Sequence, residues 1–483
     1  MSENYENTNN ASTAPEVEEA TAGEVAAADT ETETLLELDE LSEQKNKKEN
    51  PEENMSTGRK VRALLMRPIA SSIIKWLFIP FGIAALVIYL IATSSRSMGE
   101  TFAKSLGMVS NGIAMVFSFI PIPVFEILIC ALALGLLAYI IYLIVRTIQI
   151  KGLFHKLGMW VQFLYTLISL TCVFAILITL SYGIFTYRQP LSKSTDYTNA
   201  KVTNKNFSET MLYLIDNVNN SLAEGVANKT IFRTVSGFTR YNTSGRSTQA
   251  ITAKISQAFD NASKDIPTLK GSKLKSKELL FSPLYSKYQI ASVYSPITGE
   301  ICVNGDYPEV IMPMQIAKTM AKQRGYVDDD DAAFIAYIVC TKYSDDDYIE
   351  YAGYFNAYLE LSSKFYNENG KTLHLYMSNA LIDMAKKEYV QVVKKLDTLY
   401  GYSSELQYKP ANDELPASQY CDVAKLMLVD FRERVNNGSI KIDSTEVKSY
   451  GKFCNYLVND YLLDTYFQDD VRDVYKEYHP TLN

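Results

Sequence analysis

The sequence predicts a membrane protein with three transmembrane helices, followed by a mainly α, α+β soluble domain with a small sheet. Three observations carry that prediction. Three long apolar runs lie between Trp76 and Tyr187. Beyond Tyr187 polar and apolar residues mix at helical spacing. One stretch there, Leu279 to Val303, is instead rich in Tyr, Ile, Val and turn residues.

The apolar runs are Trp76–Thr93, Ile127–Val145 and Trp160–Tyr187. Each is long enough to cross roughly 30 Å of hydrocarbon as a helix. They place spans near 76–94, 126–146 and 160–186 within a membrane domain at 59–187. Lys45, Lys47, Lys48, Arg59, Lys60, Arg62 and Arg67 precede the first run, and Arg146, Lys151 and Lys156 lie between the second and third. The loop between the first and second holds chiefly Arg96 and Lys104. The positive-inside rule then gives a multi-pass plasma-membrane protein with a cytoplasmic N-terminus and an extracytoplasmic domain at 188–483. The apolar segment Gly107–Ile120 falls on the outer side. It reads as an interfacial or re-entrant piece, since a fourth span would reverse the large domain. Pro121 and Pro123 interrupt the approach to the second span, and Glu126 at its mouth reads as an interfacial group.

Residues 1–58 are acidic, nearly free of aromatics and without Lys or Arg before Lys45. Such a segment buries too little apolar surface to offset the entropy of ordering, so it reads as a disordered cytoplasmic tail. It lacks the apolar core of a signal peptide. Its one apolar patch, Leu35-Leu36-Glu37-Leu38, reads as part of a solvated tail, with docking to a partner as the alternative.

The 483 residues carry a net charge of -8, which argues against a nucleic-acid partner. The 3 histidines, His155, His374 and His479, are far apart, which argues against a His-rich metal site. The 6 cysteines form no CxxC pair. Cys130 and Cys172 sit in apolar runs and read as buried small residues. The pairing of Cys302, Cys340, Cys421 and Cys454 stays open.

In the soluble part, Phe207, Met211, Leu214, Val218 and Leu222 recur at helical spacing, and Ser244–Ile266 continues in that style. Leu279–Val303 predicts two or three short strands, with turns at Ser282-Pro283 and Thr298-Gly299. Helices return after Pro313, with stops at Gly325, Gly370 and Gly438. Pro313 suits a first helical position and Gly325 a C-terminal cap. Lys318 and Lys322, four apart, share one helix face. Asp328, Asp329, Asp330 and Asp331 open the next helix, where acids suit the positive end of the dipole.

The order of short words along the chain is more specific than any one of them. Tyr294, Pro296, Thr298, Gly299 and Glu300 form a Y-x-P-x-TGE word. Ala321, Gln323, Arg324 and Gly325 follow, then Ala332, Phe334, Ala336 and Tyr337. Tyr187–Leu191 forms a basic, proline-containing junction, and Ser449-Tyr450-Gly451 a late word. From roughly residue 65 onward this order resembles a family of three-pass bacterial membrane proteins of unassigned role with a zincin-like outer domain.

The resemblance implies a zincin-like fold for 188–483 and a metal site on HExxH. In such a site two His one turn apart bind zinc and the Glu acts as general base. Carried over residue by residue, the two His positions hold Lys318 and Lys322, the Glu position holds Thr319, and the third ligand falls at Asp331. A cationic lysine is a poor zinc ligand, and threonine cannot take a proton from metal-bound water. The expectation is therefore no cofactor and no catalytic residue, with Asp331 as a possible metal remnant. A further expectation is that Lys318 or Lys322 pairs with Asp331. The resemblance also implies an edge strand beside the site, which is either simply covered or takes an extended peptide by backbone pairing. Gln289, Ile290, Val293, Tyr294 and Glu300 would contribute to it.

These readings favour a non-catalytic, zincin-derived surface protein over an enzyme. Its partners would be the lipid bilayer and a peptide or protein outside the membrane. The alternative is an active membrane-bound hydrolase or metallopeptidase with an atypical site, although no GxSxG or SxxK word stands out. Three spans without a buried charge cluster make a poor conduit, and the tail holds no recognisable signalling domain.

Overall fold

The computed structural model describes residue 59 and residues 73–188, 190–193, 195, 197, 201–233, 238–241, 247–403, 422–442, 446 and 450–478. The acidic tail 1–58, Cys421, Ser449 and His479 lie outside them. The chain divides into two compact units, Met1–Ile73 with Thr147–Tyr165, and Ile74–Arg146 with Thr166–Asn483. In the first unit Gly152, just before the helix Leu153–Ile178, has a φ of 103°, which suits glycine. Trp160 there meets Phe163 edge-on at 5.9 Å.

The apolar region forms helices α1 (Ile73–Ser94), α2 (Arg96–Ser118), α3 (Val124–Gln149) and α4 (Leu153–Ile178). Two of these, α3 and α4, are long and apolar enough to cross a membrane. The apolar part of α1 is shorter, Phe78–Ser94. The third apolar run is helical but not α-helical throughout: α4 continues as a π-helix at Thr179–Gly183 and a 3-10 helix at Ile184–Tyr187. Cys130, expected as a buried residue, is exposed. From Ile127 onward most apolar side chains of α3 are exposed, Leu143 being buried.

The remainder is mostly helical: α5 (Asn204–Ala227), a hairpin of β1 (Ile231–Arg233) and β2 (Thr239–Tyr241), and α6 (Ser247–Asp265). Next come β3 (Ser276–Glu278), α7 (Ser282–Lys287), β4 (Ser292–Tyr294) and β5 (Ile301–Val303). The chain continues through α8 (Met312–Gln323), α9 (Asp329–Lys342), α10 (Asp347–Ser378) and α11 (Asp383–Tyr400). It closes with α12 (Val423–Asn436), α13 (Lys452–Leu463) and α14 (Thr465–Tyr478). Ser282-Pro283, expected as a turn, opens α7, because proline at a first helical position needs no amide partner. Gly325 and Gly438 follow helix ends and Gly370 kinks α10, each with positive φ.

The three-stranded sheet has the order β3-β5-β4, with β3 parallel and β4 antiparallel to β5. The core joins α5, α8, α9, α10 and α13. Phe207, Met211, Leu214, Val218 and Leu222 of α5 are all fully buried in it. Cys302, Cys340 and Cys454 are buried free thiols.

One buried ion pair joins this body to the apolar helices. Lys277 of β3 and Glu300 at the start of β5 pair with almost no exposure of either side chain. Lys277 Nζ also donates to the carbonyls of Phe117 (2.8 Å) and Ile122 (3.0 Å), at the end of α2 and in the turn after it. Glu300 accepts from the amides of Val124 and Phe125, both at 2.8 Å, at the start of α3. The cation thus lies at a helix C-terminus and the anion at a helix N-terminus, as the backbone dipoles favour. Glu126 accepts from the Leu280 amide at 2.7 Å. Gly299 has φ 68°, and a Cβ there would lie 2.6 Å from the Ala114 Cβ of α2.

Lys277→Met or Glu300→Gln alone is expected to cost about 3–5 kcal/mol, because each strands a buried opposite charge. The double variant should lose clearly less than the sum. Denaturant unfolding of the detergent-solubilised chain measures the cycle, and additive losses would contradict a coupled pair.

Candidate functional site

Helix α8 runs along the sheet and is followed closely by α9. Pro313 stands in its first turn, and Gly325 (φ 94°) ends it. The Asp328 side chain caps α9 by accepting from the Asp331 amide at 2.9 Å. Three further aspartates then occupy the first turn of α9.

The helical spacing turns Lys318 and Lys322 toward that turn. Lys318 Nζ donates to Asp329 Oδ2 at 2.6 Å, and Lys322 Nζ to Asp329 Oδ1 at 2.7 Å. One carboxylate therefore receives two ammonium groups and ties α8 to α9. Partial burial pushes the Asp329 carboxyl up, but the two lysines more than offset this and hold it below the usual aspartate value.

Asp331, the expected partner of the lysines, points elsewhere. It is nearly buried and bound by Lys452 Nζ at 2.7 Å and the Tyr456 hydroxyl at 2.9 Å, both from α13. The lysine cross-link therefore forms with Asp329, two residues earlier. Because successive helix positions are about 100° apart, Asp329 and Asp331 face different neighbours. Thr319 is buried, and its hydroxyl donates to the backbone carbonyls of Gln315 and Ile316.

Lys318, Lys322 and Asp329 form one wall of a cleft of about 1350 Å3. Gln289, Ile290, Ala291 and Ser292 line its rim. The far wall holds Ser362 and His374 of α10 and Tyr389 of α11. Ser362 Oγ lies 2.6 Å from His374 Nε2 and 3.1 Å from the Tyr389 hydroxyl. Burial lowers the His374 pKa, which favours the neutral ring.

The expected peptide-binding residues separate into two groups. Gln289 and Ile290 border the cleft. Gln289 adopts a left-handed conformation, φ 59°, that a non-glycine residue takes at some cost. Ser292, not among those expected, borders it as well, and its hydroxyl donates to Gln315 at 2.8 Å. Val293 packs with Phe125, Leu279 and Cys302. Tyr294 is buried, with its hydroxyl 3.5 Å from Ser110 of α2. Glu300 is the α3 clamp described above. These last three do not line the cleft.

The other sequence words are structural too. Gln323 bonds Asn111 of α2. Arg324 donates to the Leu269 carbonyl at 2.8 Å and lies over the Phe259 ring at 4.1 Å. Arg188 bonds the Arg324 carbonyl, stacks over Tyr326 at 4.4 Å and reaches Glu100 of α2 at 3.5 Å. Gly451 (φ 83°) starts α13 and brings the Lys452 amide to Asp330 at 3.2 Å.

The donor set does not fit a zinc ion. Zinc takes neutral imidazole, thiolate or carboxylate, about three from the protein in a catalytic site. Here the facing groups are two ammonium ions and one aspartate. Among the described residues no group of three or more His, Cys, Asp or Glu comes together as a ligand set.

One family model matches residues 106–458, that of a protein of unknown function, DUF3810. The match runs from α2 to α13 and so takes in both the ion-pair clamp and the cleft. Neither the curated proteins nor the solved structures give a match.

The Asp329 carboxyl is expected to titrate below 3.8, and Lys318→Ala with Lys322→Ala to raise its midpoint, as NMR titration would read. Because its folded pKa is depressed, its stabilisation is present above the unfolded pKa and fades as pH falls through the folded one. Asp329 is largely exposed, so the effect should stay below about 1 kcal/mol. An unmoved midpoint in the double variant would contradict the cross-link.

Proposed function

The chain belongs to the DUF3810 family of proteins of unknown function, and from that premise we propose a non-catalytic, membrane-anchored surface protein whose outer domain binds an extended peptide. The peptide lies in the cleft between the edge of β4 and the lysine pair of α8. In this reading the domain is zincin-derived and its zinc site is lost, with Lys318, Thr319 and Lys322 in place of the metal-binding and basic residues. The apolar helices make three passes. The cationic loops hold the N-terminus in the cytoplasm, and residues 188–483 lie outside.

The observation that carries the reading is the cleft rim. Among the described residues strand β4 pairs only with β5, and the Ser295 and Asn304 amides donate to Glu300 and Ala291 across that pairing. The alternation of an antiparallel pair then turns the backbone of Ser292 away from β5, toward the open edge. An extended peptide can pair there without metal chemistry. The two ammonium groups, held by one exposed carboxylate, offer charge to an acidic side chain or C-terminal carboxylate.

The contact between Ser362 and His374 favours a second reading, a serine hydrolase. Against it, Ser362 is fully buried within α10, where helical backbone amides are already bonded and leave no oxyanion hole.

Peptides selected by display against the full chain in lipid nanodiscs should lose binding on Ser292→Pro. That change removes one outward amide and leaves the bonds to β5. Lys318→Ala with Lys322→Ala should weaken the acidic ligands most. Selected peptides indifferent to Ser292→Pro would sink the strand-addition reading. A fluorophosphonate probe should leave Ser362 unlabelled, and labelling lost on Ser362→Ala would favour the hydrolase.

A further inference from the structure

We infer that the outer domain rests on the lipid surface through a two-sided apolar collar around the start of α3. The inference assumes that α3 spans the bilayer, as in the reading above, and adds a surface that the spans alone do not require.

The collar is fixed to α3 by the contacts already described. On one side, the turn after α2 is held by Lys277 through the carbonyls of Phe117 and Ile122. Phe119 (81%) and Ile122 (44%) of this turn are exposed, as is Val116 (64%) in the last turn of α2. On the other side, the Leu280 amide is held by Glu126 of α3. Leu280 (51%), Phe281 (46%) and Leu284 (54%) are exposed there. Both patches thus hang from the first residues of the same helix. Large apolar side chains left in water on both sides would be costly, at about 25 cal/mol per Å2.

The occupant follows from continuity with α3. Phe125 and Glu126 are buried in protein, whereas from Ile127 onward α3 is apolar and mostly exposed, Leu143 being buried. Ile127 to Val145 measures about 28 Å at 1.5 Å per residue, the thickness of the hydrocarbon layer. The lipid boundary therefore falls at the level where both patches are attached. Helix α2 has the matching two-faced character. Gly99, Ala103, Ser110 and Ala114 are buried at helical spacing, and Val109 and Val116 are exposed. With one face packed on protein and an apolar face left exposed, α2 is suited to lie along the lipid surface. Exposed Lys275 and Lys287 flank the collar and suit lipid phosphates.

The test uses the full chain in phosphatidylcholine nanodiscs made with ordinary lipid or with lipid brominated near the headgroup end of its chains. Bromine quenches nearby tryptophan. Wild-type emission comes from the 2 native tryptophans, Trp76 and Trp160, and reports insertion. In a Trp76→Phe/Trp160→Phe background, Phe119→Trp and Phe281→Trp should each be quenched. Tyr466→Trp, on exposed α14, should not. Quenched wild type with unquenched Phe119→Trp and Phe281→Trp would overturn the collar and leave the spans standing. Unquenched wild type would overturn both. Unquenched collar probes in a chain that dimerises through them would assign the surface to a second copy instead.

Discussion

The pairing of Lys277 with Glu300 is the contact on which the arrangement of this unit depends. It sits where three strands, the end of α2 and the start of α3 meet. Each charge does two jobs: it neutralises the other, and it satisfies backbone groups that a helix end leaves open. A buried pair of this kind adds little stability over a well-packed apolar pair, but breaking it is costly. Its value is positional. Gly299 lets the TGE turn approach Ala114 of α2, and Glu126 holds the strand-to-helix turn after β3. The sheet, and with it the rim of the cleft, is set relative to α3 by these contacts.

The helix pair beside the sheet shows a second use of charge. Asp329 gathers Lys318 and Lys322 on the cleft side, while Asp331 gathers Lys452 and Tyr456 on the opposite side. Neighbouring aspartates in one helical turn would repel one another without such partners. The acidic run at the start of α9 is thus divided between lysines of two helices, α8 and α13, and each share stitches α9 to a different neighbour. In the proposed reading the first share does mechanically what a metal would do, without supplying Lewis-acid chemistry.

Much of the helical framework was legible in the sequence because periodicity and glycine or proline punctuation are local signals. The buried face of α5, the start of α8 at Pro313 and its stop at Gly325 follow from spacing alone. The chemistry was less legible. The TGE word reads naturally as part of a peptide-binding strand, yet Glu300 faces inward to meet Lys277, a residue no motif singled out. Its partners are backbone amides of α3, which carry no sequence signature. The choice between Asp329 and Asp331 depends on helix phase and on Lys452, more than a hundred residues away. Ser362, His374 and Tyr389 meet only because α10 and α11 pack together, and their spacing gives no warning of it.

The short sequence words share one physical character. Glu300, Gln323, Arg324 and Tyr337 each join one structural element to another, and in the proposed reading Lys318, Thr319 and Lys322 occupy the positions of lost peptidase chemistry. A domain kept for its shape and its cleft is the simplest physical reading of that division. The zinc content of the full chain, purified without metal affinity resin and measured by mass spectrometry after dialysis against dilute zinc, tests it most directly. No retained zinc is the predicted result. One zinc per chain, lost on Asp329→Asn or Asp331→Asn, would contradict it.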